Sequence, residues 1–281
     1  MTASPSHDAR KFADLGPVRH IWAVAAVHAD LDRLSAVHQT IWRYFRPGDR
    51  LVYLGNLIGH GGRAVDTINT ILAFRRALIS LPGMKADDII YLRGAQEEMW
   101  QKLLQLQFAP NPRDVLEWML NQGVEGTLAS YGGAADQGMA AARGGTMTLG
   151  RWTQALRTAM QSCPGHSELF SALRRAAYTH PPIDDAAEGE GAGVLLVSAG
   201  VDPSRPFGQQ GDRFWWGGSG FARLDRPYAG FHRVVRGWDP AGGGVVTDRM
   251  AVTLDAGCGR GGPLMCAILA PDGSLLETFH A

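Results

Sequence analysis

Three short apolar runs, at residues 20–27, 50–54 and 88–92, each end in small and polar residues that lead into an amphipathic stretch. These stretches have helical period. Leu31, Leu34, Val37, Ile41 and Phe45 follow the first run, and Val65, Ile68, Ile71 and Leu72 lie in a helix predicted over 63–80. Short strands separated by helices of about 12–18 residues predict an α/β layered architecture. Such folds bind ligands beyond the carboxyl ends of the strands. The segments to read for chemistry are therefore 25–30, 55–61, 92–98 and, after a fourth run at 193–197, 197–203.

The remaining chain is less regular. Helices are predicted over 97–107 and 112–120, with Pro112 in a first turn. Gly- and Ala-rich residues 131–150 read as a mobile loop, 151–160 and 166–176 as helices, and 181–193 as an acidic turn region. Short strands follow at 231–236, 252–254, 264–269 and 275–279, the last two forming an antiparallel hairpin around 271–273. No repeat or composition break marks a second domain. The expectation is a loosely ordered or disordered tail over 1–18 and one two-sheet domain over 19–281.

Composition narrows the class. A hydrophobic fraction of 45% is globular, and 27 basic against 27 acidic side chains argue against broad nucleic-acid binding. No apolar window is long enough to span a membrane, and the polar start of the chain has no signal-peptide run. Cys163, Cys258 and Cys266 make no disulfide framework or metal knuckle. A cytoplasmic location is expected.

At the four strand ends, His28, Asp30, Asn56, His60, Arg93 and Gln96 form a candidate ligand cleft. Imidazoles there serve as proton shuttles or metal ligands, or only satisfy loop carbonyls; both readings stay open. Carboxylates for a hard metal are scarce, since the first two segments offer only Asp30, which opens a helix. Ser198 lacks a nucleophile elbow, and Cys258 has no local histidine. The loop 55–62 suits an anion at a helix start but has neither Walker nor dinucleotide spacing. Trp215, Trp216 and Phe221 form either a partner surface or core filling.

Taken in order, these segments resemble the calcineurin-like metallophosphoesterases, in particular their serine/threonine protein phosphatase and symmetrical diadenosine tetraphosphatase branch. Ala25-Ala26-Val27-His28-Ala29 corresponds to that family's Gly-Asp-Ile-His-Gly. Leu54-Gly55-Asn56-Leu57-Ile58-Gly59-His60-Gly61 corresponds to its Leu-Gly-Asp-X-Val-Asp-Arg-Gly, and Arg93-Gly94-Ala95-Gln96-Glu97 to its Gly-Asn-His-Glu element. Ser198-Ala199-Gly200-Val201-Asp202-Pro203-Ser204-Arg205-Pro206 is similar to its His-Ala-Gly-Val-Asp-Pro-Ser-Arg-Pro, and Val235-Arg236-Gly237-Trp238 to its Val-X-Gly-His. The likeness runs over about residues 20–271.

The resemblance implies a two-sheet α-β-β-α sandwich flanked by helices, and it also implies that the chemistry has been removed. Metal ligands would fall on Ala26, His28, Asn56, Ala95, Ser198 and Trp238, of which only His28 keeps the family residue. The general-acid pair falls on Gln96 and Gly59, and a phosphate-binding arginine on His60. The expectation is a catalytically inactive phosphoesterase-fold protein, or pseudophosphatase, with no cofactor, serving a structural role or binding an unidentified protein. The alternatives are residual or relocated activity through His28, His60 and Asp30 or Asp202, and a sensor that binds a small anion or nucleotide without turnover.

Overall fold

The computed structural model describes residues 11–180, 182 and 192–281. The chain opens with β1 (Phe12–Asp14) and β2 (Ile21–Val24), then alternates α1 (Leu31–Tyr44), β3 (Arg50–Tyr53), α2 (Ala64–Ile79), β4 (Ile89–Tyr91) and α3 (Ala95–Leu103). A helical layer follows: α4 (Pro112–Met119), α5 (Glu125–Ser130), α6 (Ala135–Arg143), α7 (Thr146–Gln161) and α8 (His166–Ala172). The second half holds β5 (Ala176–Tyr178), β6 (Val194–Val197), the single turn α9 (Arg213–Trp216), β7 (Arg233–Arg236), β8 (Val246–Thr247), β9 (Ala251–Thr253), β10 (Met265–Leu269) and β11 (Leu275–His280).

Two mixed sheets result, ordered β11-β10-β2-β3-β4 and β1-β5-β6-β7-β9-β8. With helices on the outer faces, this is the α-β-β-α sandwich expected from the sequence. Strands β2 and β6 are buried along their whole length, which is why they read as unbroken apolar runs rather than alternating ones. Helix α1 buries Leu34, Val37 and Ile41 at helical spacing, and Asp30 caps it by accepting from the Arg33 N–H at 3.2 Å. The parallel run β2-β3-β4 is in register from Ile21 with Arg50 to Tyr53 with Tyr91, so the ends of these strands are level. Beyond them the sheets meet: Leu92 bridges Arg174, and the Arg93 N–H donates to the Arg174 carbonyl at 2.7 Å. No helix among the described residues is long and apolar enough to cross a membrane.

Several sequence expectations are corrected. Residues 12–14, assigned to the tail, form β1 by parallel pairing with β5; a three-residue strand has no local period to read. The helix expected to reach residue 176 stops at Ala172, because Leu173 turns extended and 176–178 join the sheet. The stretch 131–150 is largely helical. Its small residues let α6 and α7 approach closely, with the Trp152 ring against Gly138 and with Ala141 and Leu149 buried. Most of the acidic turn region at 181–193 lies outside the described residues. The hairpin forms as expected, Cys266 opposite Phe279 and Ile268 opposite Glu277.

Candidate functional site

Backbone hydrogen bonds draw the strand ends of both sheets to one place. After β2, the N–H groups of Val27 and His28 donate to the Asn56 carbonyl, at 3.0 and 2.8 Å, just past β3. The Asn56 side-chain oxygen accepts from the Gln96 N–H at 3.0 Å, at the start of α3. From the other sheet, the N–H groups of Gly237 and Trp238 donate to the Ser198 carbonyl at 3.0 and 2.9 Å, while the Gly237 carbonyl accepts from Ala26 at 3.0 Å. Ala26, His28, Asn56, Gln96, Ser198 and Trp238 thus share a single locus, and Ala95 precedes Gln96 on the same turn.

The backbone here is strained. His28, Ala29 and Asn56 adopt φ of 50°, 59° and 51°, the left-handed region that costs a residue with a Cβ about 1–2 kcal/mol. Strain of this kind is characteristic of functional sites and persists only where the surroundings enforce it. At Asn56 the enforcing group is Glu97. Its fully buried carboxylate accepts from four N–H groups: Asn56 and Gly94 at 2.8 Å, Leu57 at 2.7 Å and Ile58 at 3.2 Å. Burial pushes the Glu97 carboxyl upward, and the four donors oppose that shift by stabilising the charge. The list of candidate residues omitted Glu97, although it stands in the quoted motif; its only signal was an acidic residue next to a strand-end turn.

The side chains that remain are neutral. His28 is 2% exposed, and burial, then His60, then Arg260 lower its pKa to about 3, so its ring is uncharged at neutral pH. Neither ring nitrogen makes a well-formed hydrogen bond, the Ile58 carbonyl being the acceptor the ring faces. His60 lies edge-on to it with centroids 4.8 Å apart, and burial and Arg260 lower its pKa as well. Gln96 donates from Nε2 to the Gln122 carbonyl at 2.7 Å. The Ser198 hydroxyl is buried with no partner. Among the described residues there is no group of three or more His, Cys, Asp or Glu side chains placed to hold a metal ion.

These residues do not fit a pair of divalent cations. Two adjacent dications require anionic ligands between and around them. Ala26 and Ala95 supply no donor, and the Asn56 oxygen is already committed to the Gln96 N–H. Asp30, expected in the cleft, instead caps α1 and pairs with Arg33 at 2.5 Å. Arg93, also expected there, pairs with Glu98 at 2.5 Å beside the Trp215 ring.

The floor of the expected cleft is closed as well. His28, Asn56 and Gln96 are buried, and of that set His60 is the residue that stays exposed. Gly59, at φ 110°, lies so close to Gln96 that a Cβ would stand 2.4 Å from its amide carbon. Gly123 presses likewise on His60, where a Cβ would meet Nδ1 at 2.5 Å. A cavity of about 750 Å³ lies elsewhere, beside β1, β4, α2 and α8, lined in part by Leu72, Arg75, Tyr91 and Leu169.

The aromatic segment divides. Trp215 is 3% exposed and Phe221 is equally buried, so both belong to the core of the second sheet; the Arg236 guanidinium covers Phe221 at 4.3 Å. A helical turn places Trp216 on the other side, 37% exposed and 5.7 Å from Trp118, itself 45% exposed. Trp118 was absent from the sequence candidates because nothing near it in the chain marks it.

No family model and no curated protein matches the sequence. Solved structures do match. One, of a protein provisionally assigned as a diadenosine tetraphosphatase, aligns over 96% of this chain and 98% of its own, at 17% identity and a TM-score of 0.55. A protein serine/threonine phosphatase from Saccharomyces cerevisiae aligns over 96% and 84%, at 12% identity and a TM-score of 0.49. Identities this low establish fold alone, and the first of these alignments carries that conclusion. The chain has a two-sheet, metallophosphoesterase-like α-β-β-α sandwich fold.

Proposed function

We propose that this protein is a phosphoesterase-fold chain that performs no phosphoester hydrolysis and acts by binding another protein. One observation carries the reading: the strand-end positions converge as the fold requires, yet Ala26, Asn56, Ala95, Ser198 and Trp238 bring no carboxylate or imidazole to the meeting point. A metal-activated water has nothing to hold its metal, and a neutral, buried His28 paired with a closed floor leaves no access for a phosphoester. The closed floor also weighs against a small-anion sensor at this place. A partner-binding role draws its support from the exposed Trp118–Trp216 pair, since exposed tryptophans are enriched among residues that anchor interfaces.

Hydrolysis of p-nitrophenyl phosphate and of dinucleoside polyphosphates, with manganese or zinc added, tests the first half. Turnover no faster than buffer is expected. Turnover at ordinary enzyme rates that disappears on His28→Ala would overturn the proposal.

A further inference from the structure

A sheet edge leaves a row of backbone N–H and C=O groups without partners, and folded proteins keep such edges short or guarded. Among the described residues, three of the four edges are short: β1 and β4 have three residues each, and β8 has two. The fourth, β11, has six residues, Leu275–His280, with no proline or lysine, and is exposed at Leu276, Glu277, Thr278 and His280.

The phase of the ladder fixes which groups face outward. Leu264 and Ala281 exchange both backbone bonds, at 3.0 and 3.1 Å, and the same register sets Cys266 against Phe279 and Ile268 against Glu277. The N–H and C=O groups of 277, 279 and 281 therefore turn to β10, and those of Leu276, Thr278 and His280 turn away from the sheet.

We propose that β11 is a homodimerisation edge, pairing antiparallel with β11 of a second copy about a two-fold axis at Thr278. This register is self-complementary. Thr278 faces the partner subunit's Thr278, a favourable cross-strand pair, and Leu276, 54% exposed, faces the partner subunit's His280. Glu277 is the one carboxylate on the strand, and it falls opposite the partner subunit's Phe279, so the two negative charges are not opposed. Beside the edge, a groove of about 480 Å³ lined by Trp22, Tyr44 and Phe279 together with the polar Arg19, His20 and Glu277 gives the second copy a mixed surface to cover. An edge with a single charge carries little to select a foreign strand, whereas centring on Thr278 pairs all three outward-facing residues of β11 with those of a second copy. The inference is independent of whether the protein hydrolyses anything.

Sedimentation velocity of the full chain over a concentration series tests it. A concentration-dependent dimer is expected, and Thr278→Pro is expected to weaken it at least about tenfold, equivalent to about 1.4 kcal/mol. Because the Thr278 N–H points outward, proline removes no bond of the β10–β11 ladder, and the circular-dichroism spectrum should be unchanged. Leu276→Lys is the second variant, expected to weaken the dimer similarly without touching the backbone. A monomer at every concentration overturns the proposal, as does a dimer that neither variant weakens.

Discussion

Glu97 shows how one buried side chain can hold the shape of a whole turn. Both carboxylate oxygens accept from two N–H groups each, so Glu97→Gln would turn an NH₂ toward two donors, and Glu97→Ala would leave all four unpaired. Losses of about 2–4 kcal/mol for the amide, and more for alanine, are expected in urea denaturation. An unchanged midpoint for Glu97→Gln would mean the four donors do not depend on the charge. The Gly59–Gln96 contact makes a second, coupled case. Gly59→Ala adds a Cβ at positive φ and against the Gln96 side chain, with an expected loss of about 2–4 kcal/mol. Combining it with Gln96→Ala should recover about 1 kcal/mol or more of that loss, and strict additivity in the double-mutant cycle would contradict the contact. The sequence motifs located both positions, but not their contact, because Gly59 and Gln96 meet only after β3 and β4 pair.

At the level of elements, Trp215 and Trp216 show what local pattern leaves undetermined. They are neighbours on one short helical turn, and only the packing of α9 decides which one enters the core. Trp215→Ala is therefore expected to cost about 3–5 kcal/mol, and Trp216→Ala less than about 1 kcal/mol, by denaturant titration. Equal losses would mean that the turn is oriented otherwise. The units β2-α1-β3-α2-β4 were legible because each helix repeats its apolar residues on one face and each strand is a continuous apolar run. Helix α6 and the first turn of α7 were not, since alanine and glycine carry little periodic signal and the contact of α6 depends on a tryptophan from the other helix. Strand β1 was illegible for a different reason: its pairing partner lies more than a hundred residues away.

The α1–α2 layer also carries a pH dependence. His38 donates to or accepts from the Tyr53 hydroxyl at 2.7 Å and stacks on Phe74 at 4.0 Å, and burial lowers its pKa to about 3, as for His28. A base depressed in the folded state contributes stability that is complete above its unfolded value, here 6.5, and is lost as pH falls toward 3. Each histidine should then withdraw up to ~1.4 kcal/mol per pH unit in that window. Denaturant titrations at pH about 7.5 and about 5 check it. His38→Gln, which retains a partner for Tyr53, should flatten the slope, and an unaltered slope would contradict the assignment.

Across the whole molecule, the fold brings the strand ends together without a metal-ligating cluster among the described residues. Level parallel strands, turns in the left-handed region and the Glu97 clasp still deliver both sheets' strand ends to one point. His28, Asn56 and Ser198 arrive there buried, with Gln96 bonded to the Gln122 carbonyl and the Gly123 turn pressed on His60. The order of the motifs made this absence of ligands readable from the sequence, whereas the closed floor required the packing between sheets. The direct test is calorimetric titration of the purified protein with manganese, alongside elemental analysis of the untreated sample. The expected result is no binding heat and well under about 0.1 metal ion per chain; tight binding of about two ions, abolished by His28→Ala, would contradict the reading of the site.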